Sequence, residues 1–207
     1  MSKDRSKILS LSQLGVLAAI LILMAFTPLG YLKTPLIEIS LNMVPVVIGA
    51  IVIGPTAGAI LGGIFGVTSF IQCFGMSAFG TFLMTINPVL TFIMCLVPRI
   101  LAGLLAGLIF KGIGRFDKTK VVAAGVSSTF GALLNTIFFM LSIYVLFWNN
   151  NSFISKMTEW GLPVGSFAKF LIAFVGINGV IEAAVCLVAG TAISKALLVL
   201  NKKVAKT

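Results

Sequence analysis

The sequence contains no histidine and only five acidic residues. Without histidine, the side chain that most often moves protons near neutral pH is missing, so general acid–base machinery is thin. The serines are scattered, with no base beside them. Nothing in the chain has metal-ligand spacing. The three cysteines, Cys73, Cys95 and Cys186, form no CxxC pair and lie in or at the edge of apolar segments. They fit small packing residues. No glycine run is followed by Lys-Ser or Lys-Thr, so the chain has no phosphate-cradling loop and cannot itself hydrolyse ATP by that route. These absences argue against an enzyme and call for no cofactor and no metal.

Charge is scarce as well. Charged residues make up 10% of the 207 residues, against 59% hydrophobic. That is too little charge to cover a soluble surface of this size, so the bilayer must be the solvent. The net charge of +10 would suit nucleic acid, but the basic residues fall in short clusters between apolar runs. That distribution is the positive-inside pattern of a membrane protein, not a nucleic-acid footprint.

Six apolar segments follow one another in a single unit, residues 1–207. The first is about 11–26. The basic Lys3, Arg5 and Lys7 before it give it a signal-peptide look, but Ala25-Phe26-Thr27 is not a small-x-small cleavage site, and a retained helix is expected. The second, about 41–53, is short against the ~20 residues of a full span, so it must be tilted, thinned or protected by its neighbours. Gly54-Pro55 breaks it, and Pro55 suits the first turn of the third, about 56–71. A looser stretch, 72–85, precedes the fourth, 86–110. A basic loop, 111–120, leads to the fifth, 121–147. A polar stretch, 148–165, leads to the sixth, 167–200.

Topology follows from counting lysine and arginine. Eleven of the fifteen lie at the N-terminus, in the loop between the fourth and fifth spans, or at the C-terminal end. Six spans place all three clusters on one side, predicting an all-α membrane protein with both termini cytoplasmic. The other side keeps Lys33, Lys156 and Lys169, offset by Glu38 and Glu159. Tyr144, Trp148 and Trp160 then fall at the outer interface.

Two ionisable residues lie deep inside apolar runs, Arg99 in the middle of the fourth span and the acid Glu182 in the sixth. Each costs roughly 2.5–3.5 kcal/mol at membrane depth, so each needs a partner or a ligand. Two readings stand for Arg99. It pairs with Glu182 and locks two helices, or it receives a substrate carboxylate. Asn87, Asn135 and Asn178, in or at the ends of the fourth, fifth and sixth spans, add polar groups that a small polar ligand requires. Counted from Ile86, Arg99 lies about 20 Å down the helix at 1.5 Å per residue. Should that be too deep, the asparagines and Gln72 are the stronger ligand candidates.

Small residues recur every fourth position: Gly58, Gly62 and Gly66 in the third span, Gly103 and Gly107 in the fourth. This spacing lets helix backbones approach closely in lipid. The first span carries Gly15-x-x-x-Ala19, which suits either internal packing or a flat face for another membrane subunit.

The run Val44-Pro45-Val46-Val47-Ile48-Gly49-Ala50-Ile51-Val52-Ile53-Gly54-Pro55-Thr56-Ala57-Gly58-Ala59 resembles the substrate-binding (S) components of energy-coupling factor (ECF) vitamin transporters. Gly62-Gly63-Ile64-Phe65-Gly66-Val67-Thr68-Ser69 and Pro98-Arg99-Ile100-Leu101-Ala102-Gly103 fit the same pattern. The last looks closest to the pantothenate branch. The resemblance implies an S-component-like bundle in a prokaryotic plasma membrane that captures a water-soluble vitamin from outside. It implies sealing loops at 30–38 and 73–80. It also implies docking, through Gly15 and Ala19, onto a transmembrane coupling protein driven by two ATPase subunits. The family's motif at this face is usually Ala-x-x-x-Ala, and Gly15 keeps the close-approach logic. Pantothenate is an anion with hydroxyl and amide groups, so a deep arginine among asparagines suits it. Riboflavin, folate or a queuosine precursor is the alternative cargo. A self-sufficient secondary transporter is the alternative class, although no inverted repeat links the two halves.

Overall fold

Proline sets two of the long helices going. Pro55 opens α3 (Pro55–Gln72) and Pro88 opens α5 (Pro88–Ile113). Its fixed φ suits a first turn, where the missing N–H leaves no bond unmade. Asn87 completes the second start: its Oδ1 accepts from the backbone N–H groups of Val89 and Leu90 at 3.0 and 3.1 Å. The computed structural model describes residues 3–28, 30–33 and 38–204. The other helices are α1 (Lys3–Ala25), α2 (Met43–Val52), α4 (Ala78–Ile86), α6 (Val121–Phe147), α7 (Asn151–Glu159), α8 (Phe167–Val185) and α9 (Thr191–Val204). A π-helical turn, Cys186–Gly190, joins α8 to α9. A small antiparallel hairpin, β1 (Tyr31–Lys33) with β2 (Glu38–Ser40), sets Leu32 opposite Ile39.

The protein is an all-α membrane protein apart from that hairpin. Among the described residues, five helices are long and apolar enough to cross a bilayer: 7–25, 55–72, 88–113, 121–147 and 179–201. The second apolar segment holds α2, which has ten residues and rises only about 15 Å. Its neighbours protect it. Every residue from Met43 to Ile51 is buried, enclosed by α1, α3, α5, α6 and α9. Its side chains join Leu17, Leu21, Leu61, Phe65, Ala102, Ala106 and Ala132 in one apolar cluster.

The glycine rows bring α3 and α5 into backbone contact. A Cβ on Gly62 would lie 2.2 Å from the Arg99 carbonyl oxygen, and one on Gly107 would lie 2.5 Å from Pro55 Cα. In lipid, helix association rests on such close packing rather than on the hydrophobic effect. The every-fourth-residue glycines are therefore internal packing residues.

Two stretches without a long apolar run hold short helices. Within 72–85 lies α4, started by Ser77, whose Oγ accepts from Gly80 N at 3.4 Å. Within 148–165 lies α7, capped by Asn150, which accepts from Ser152 N and Phe153 N at 2.9 and 3.2 Å. The sixth span is interrupted by the π turn. At the opposite end of the bundle, Gln13 of α1 and Asn201 of α9 exchange amide hydrogen bonds at 2.8 and 3.4 Å. The first and last helices are thus tied together.

Candidate functional site

Pro98 sits inside α5 and removes one rung of the helical ladder. In an unbroken helix the N–H of residue 98 would bond the carbonyl of Met94. That acceptor is left open in an apolar environment, where an unpaired carbonyl is expensive. The next residue fills it: Arg99 Nη1 donates to Met94 O at 2.7 Å. This bond turns the guanidinium back along α5. It then lies over two aromatic faces, 4.7 Å from the Phe139 ring centroid and 5.5 Å from that of Phe65. Cation–π contacts of this kind contribute roughly 0.5–2 kcal/mol, more when dry. Arg99 is 9% exposed, and its Nε has no hydrogen-bond partner.

Two further polar groups stand across from α5. Asn135 of α6 is 6% exposed and Glu182 of α8 is 7% exposed. Asn135 Nδ2 donates to Glu182 Oε1 at 3.5 Å, and Asn135 Oδ1 has no partner. Glu182 and Arg99 form no salt bridge among the described residues. The single ion pair among the described residues is Lys156–Glu159 on α7, at 2.9 Å. Of the two readings of Arg99, the direct lock onto Glu182 is not made among the described residues, and the Met94 carbonyl serves as an acceptor on the arginine's own helix instead.

The remaining candidates separate into different tasks. Asn87 is half-buried and its carbonyl oxygen caps α5. Gln72, buried in the last turn of α3, donates through Nε2 to the carbonyl of Ala25 and ties α3 to α1. Asn178 lies on α8, and its side chain is outside the described residues. Of the two sealing loops, residues 34–37 of the first are outside the described residues. The second begins at buried Cys73, whose thiol lies 3.9 Å from that of Cys95, and runs into α4.

Aromatic rings continue outward from the arginine. Phe139 packs against Phe79 of α4 at 6.5 Å, and Phe79 touches Phe174 at 5.0 Å and Trp160 at 6.3 Å. Trp160 also meets Phe82 at 6.2 Å, so it faces the bundle, while Tyr144 packs at a tilt against Phe167 at 4.6 Å and stays exposed. The sequence reading missed Phe65, Phe79 and Phe139. One signal pointed to Phe139, which lies one helical turn beyond Asn135 on α6. Together the groups offer a cation with an open donor, an open amide acceptor and aromatic walls. That set can hold a small amphipathic anion.

Gly15 and Ala19 lie elsewhere, on the outer surface of α1. Both are exposed, and a Cβ on Gly15 would meet nothing within 4 Å. Leu11, Val16 and Ile20 are exposed beside them.

Known proteins bear on this arrangement. The family described as "ECF transporter, substrate-specific component" matches residues 10–193. A pantothenic acid transporter, PanT, of Lactococcus lactis subsp. cremoris is 27% identical over 167 residues, which is 76% of each chain. A pantothenate transporter, PanT, of Leuconostoc mesenteroides subsp. mesenteroides is 28% identical over 191 residues, covering 88% of this chain and 87% of its own. These relatives are transporters, not enzymes, and the five apolar helices agree with a multi-pass protein of a prokaryotic cell membrane. The match over most of the chain, on a helical bundle with a buried polar centre, means that the chain belongs to the family of ECF transporter substrate-specific components.

Proposed function

We propose that this chain is the high-affinity capture subunit for pantothenate in an ECF-type importer. It takes the vitamin from outside and delivers it by docking on a transmembrane coupling protein driven by two ATPase subunits. The observation that carries the reading is the Arg99 guanidinium, buried against Phe65 and Phe139 with Nε unpartnered. A charge held this deep is retained where a ligand or partner offsets its cost. Pantothenate carries a carboxylate for the guanidinium. Its amide and hydroxyl groups suit Asn135, Glu182 and Asn178, and its apolar carbons suit the rings. Asn87 and Gln72 act at the margins of the site through α5 and α3. Two pantothenate transporters among the relatives support the same cargo.

The proposed unit is the whole of residues 1–207, crossing the membrane six times with both ends in the cytoplasm. The Gln13–Asn201 amide pair supports termini on one side. So does the clustering of eleven basic residues near the two ends and in the 111–120 loop. Gly15 and Ala19 form the docking face, and the loops 30–38 and 73–80 close the site.

Binding of labelled pantothenate to purified protein tests the cargo. Saturable binding at micromolar ligand or tighter is expected. Absence of binding there removes pantothenate, and riboflavin, folate and a queuosine precursor are then tried. Uptake should appear only when the ATPase module is co-expressed. Uptake into vesicles without ATP or partners would make the chain a secondary transporter instead.

A further inference from the structure

A second polar site lies at the other end of the bundle. The turn between α2 and α3, Gly54-Pro55, faces the last turns of α5 and the loop to α6 across a cleft of about 670 Å³. Among the described residues, three cations line it, Lys111, Arg115 and Lys120, and no acidic residue does. Lys111 lies in the last turn of α5, Arg115 lies just past its C-cap, and both are exposed. Lys120 is held in place, since its Nζ donates to the carbonyl of Gly114, the C-cap of α5. Its backbone adopts φ +62°, a left-handed conformation that is uncommon for lysine. The fold accepts that conformation while directing the ammonium back to the cleft.

The one acid in this loop does not neutralise the cleft. Asp117 Oδ1 accepts from Thr119 N at 2.9 Å and Thr119 Oγ1 at 2.7 Å, and Oδ2 accepts from Ala123 N at 2.9 Å. Its carboxylate is committed to the start of α6. The three cations therefore face a common space with no carboxylate among them. The uncapped N-terminus of α3, at Gly54-Pro55, adds partial positive charge to the same space.

The cleft is also apolar on one wall, formed by Ile51, Ile53, Pro55 and Phe110. Beside it, Phe116 is 89% exposed on the loop. An exposed phenylalanine among Arg115, Lys118 and Lys120 suits the boundary between headgroups and acyl chains. Cations next to apolar walls match an amphiphile that carries a phosphate better than they match a free ion. We infer that this cleft binds the headgroup of an anionic phospholipid from the leaflet facing the 111–120 loop. Its placement in the cytoplasmic leaflet rests on the topology proposed above, whereas lipid binding itself does not.

The test uses full-length protein in uncharged detergent at physiological salt, titrated with dioleoyl phosphatidylglycerol, dioleoyl phosphatidylcholine or inorganic phosphate. Bound lipid is counted by native mass spectrometry, and thermal midpoints are recorded in parallel. Phosphatidylglycerol should bind and raise the midpoint, and phosphatidylcholine should not. K111Q/R115Q should weaken phosphatidylglycerol binding about 25-fold, roughly fivefold for each cation. K7Q/K118Q removes two charges outside the cleft and should keep wild-type binding. Equal losses in both double variants would overturn the site in favour of general surface charge. The same midpoint rise with inorganic phosphate would overturn the lipid assignment in favour of a free anion. Unchanged lipid binding in K111Q/R115Q, with lost co-purification of the coupling protein, would make the cleft a protein contact and overturn the proposal.

Discussion

Arg99 repairs the gap that Pro98 opens, donating to the Met94 carbonyl oxygen at 2.7 Å. The arginine thus has a structural task inside its own helix, apart from any ligand. The two tasks separate by substitution. Arg99→Met should leave a buried carbonyl unpaired, costing about 1–3 kcal/mol of stability. It should also weaken pantothenate binding by about ten- to a hundredfold, the worth of a charge-assisted contact of roughly 1.5–3 kcal/mol. Adding Pro98→Ala supplies the missing N–H. The pair Arg99→Met/Pro98→Ala should recover the thermal midpoint without recovering binding. Calorimetric titration beside a melting curve checks both, and recovery of binding would make the arginine purely structural. Arg99→Leu with Glu182→Leu serves as a companion, because it removes both deep charges together. Loss of ligand with the fold intact supports the binding role.

Gly58 of α3 and Gly103 of α5 meet backbone to backbone. A Cβ on either would lie 2.3 or 2.1 Å from the other's carbonyl oxygen. Backbone cannot yield as a side-chain tip can, so the helices must separate. Gly58→Ala or Gly103→Ala should therefore cost about 1–3 kcal/mol, in line with overpacking elsewhere. Gly112, with nothing within 4 Å, is the internal control. Gly112→Ala should stay within about 0.5 kcal/mol of wild type. Thermal denaturation in detergent reads all three, and equal behaviour would refute the close-packing account.

How far the sequence spoke for itself varies by element. Pro55 marked a helix start because proline's φ leaves few other places for it in a helix, whereas the fourth apolar run was drawn from Ile86 and the structure starts α5 two residues later, at Pro88. The long apolar runs marked the spans because nothing else explains so little charge. The helices α4 and α7 were hidden. Each has nine residues in a mixed stretch, too short for a period to emerge, although the capping Ser77 and Asn150 were in plain view. The deep charges were legible as such, since a membrane arginine needs a reason. Their partners were not. Whether Arg99 reaches Glu182 depends on helix rotation, and a local acceptor freed by Pro98 gave the guanidinium a partner within its own helix. Asn87 was likewise visible as a polar residue at a helix end, and its capping task follows directly from the proline after it.

Asp117 links the α5–α6 loop to pH. Hydrogen bonds from Ala123 N and Thr119 hold its carboxyl down at about 2, below the ordinary 3.8. A carboxyl depressed in the folded state stabilises fully above its unfolded value, and that contribution is lost as pH falls through the folded value. The difference in thermal midpoint between wild type and Asp117→Asn should therefore be constant above about pH 4 and should close towards pH 2. A difference that persists unchanged at pH 2 would show that the carboxylate's charge is not what holds the loop.

Gly15 and Ala19 are the sharpest test of delivery as distinct from capture. They lie on the outer surface of α1, and Gly15 has open space where a side chain would go. Gly15→Leu and Ala19→Leu should therefore leave the bundle and its pantothenate affinity unchanged. A coupling protein that packs closely on this face would meet the new side chains as overpacking, at roughly 1–3 kcal/mol each. Uptake with the co-expressed ATPase module should then fall by about tenfold or more, while binding to purified protein stays at wild type. Val16→Leu, exposed on the same helix outside the small-residue pair, should leave both intact. Normal uptake in Gly15→Leu/Ala19→Leu would exclude this face from docking. Lost binding would mean instead that α1 supports the ligand site from behind, since Leu17 and Leu21 of the same helix pack in the cluster around α2 and Phe65.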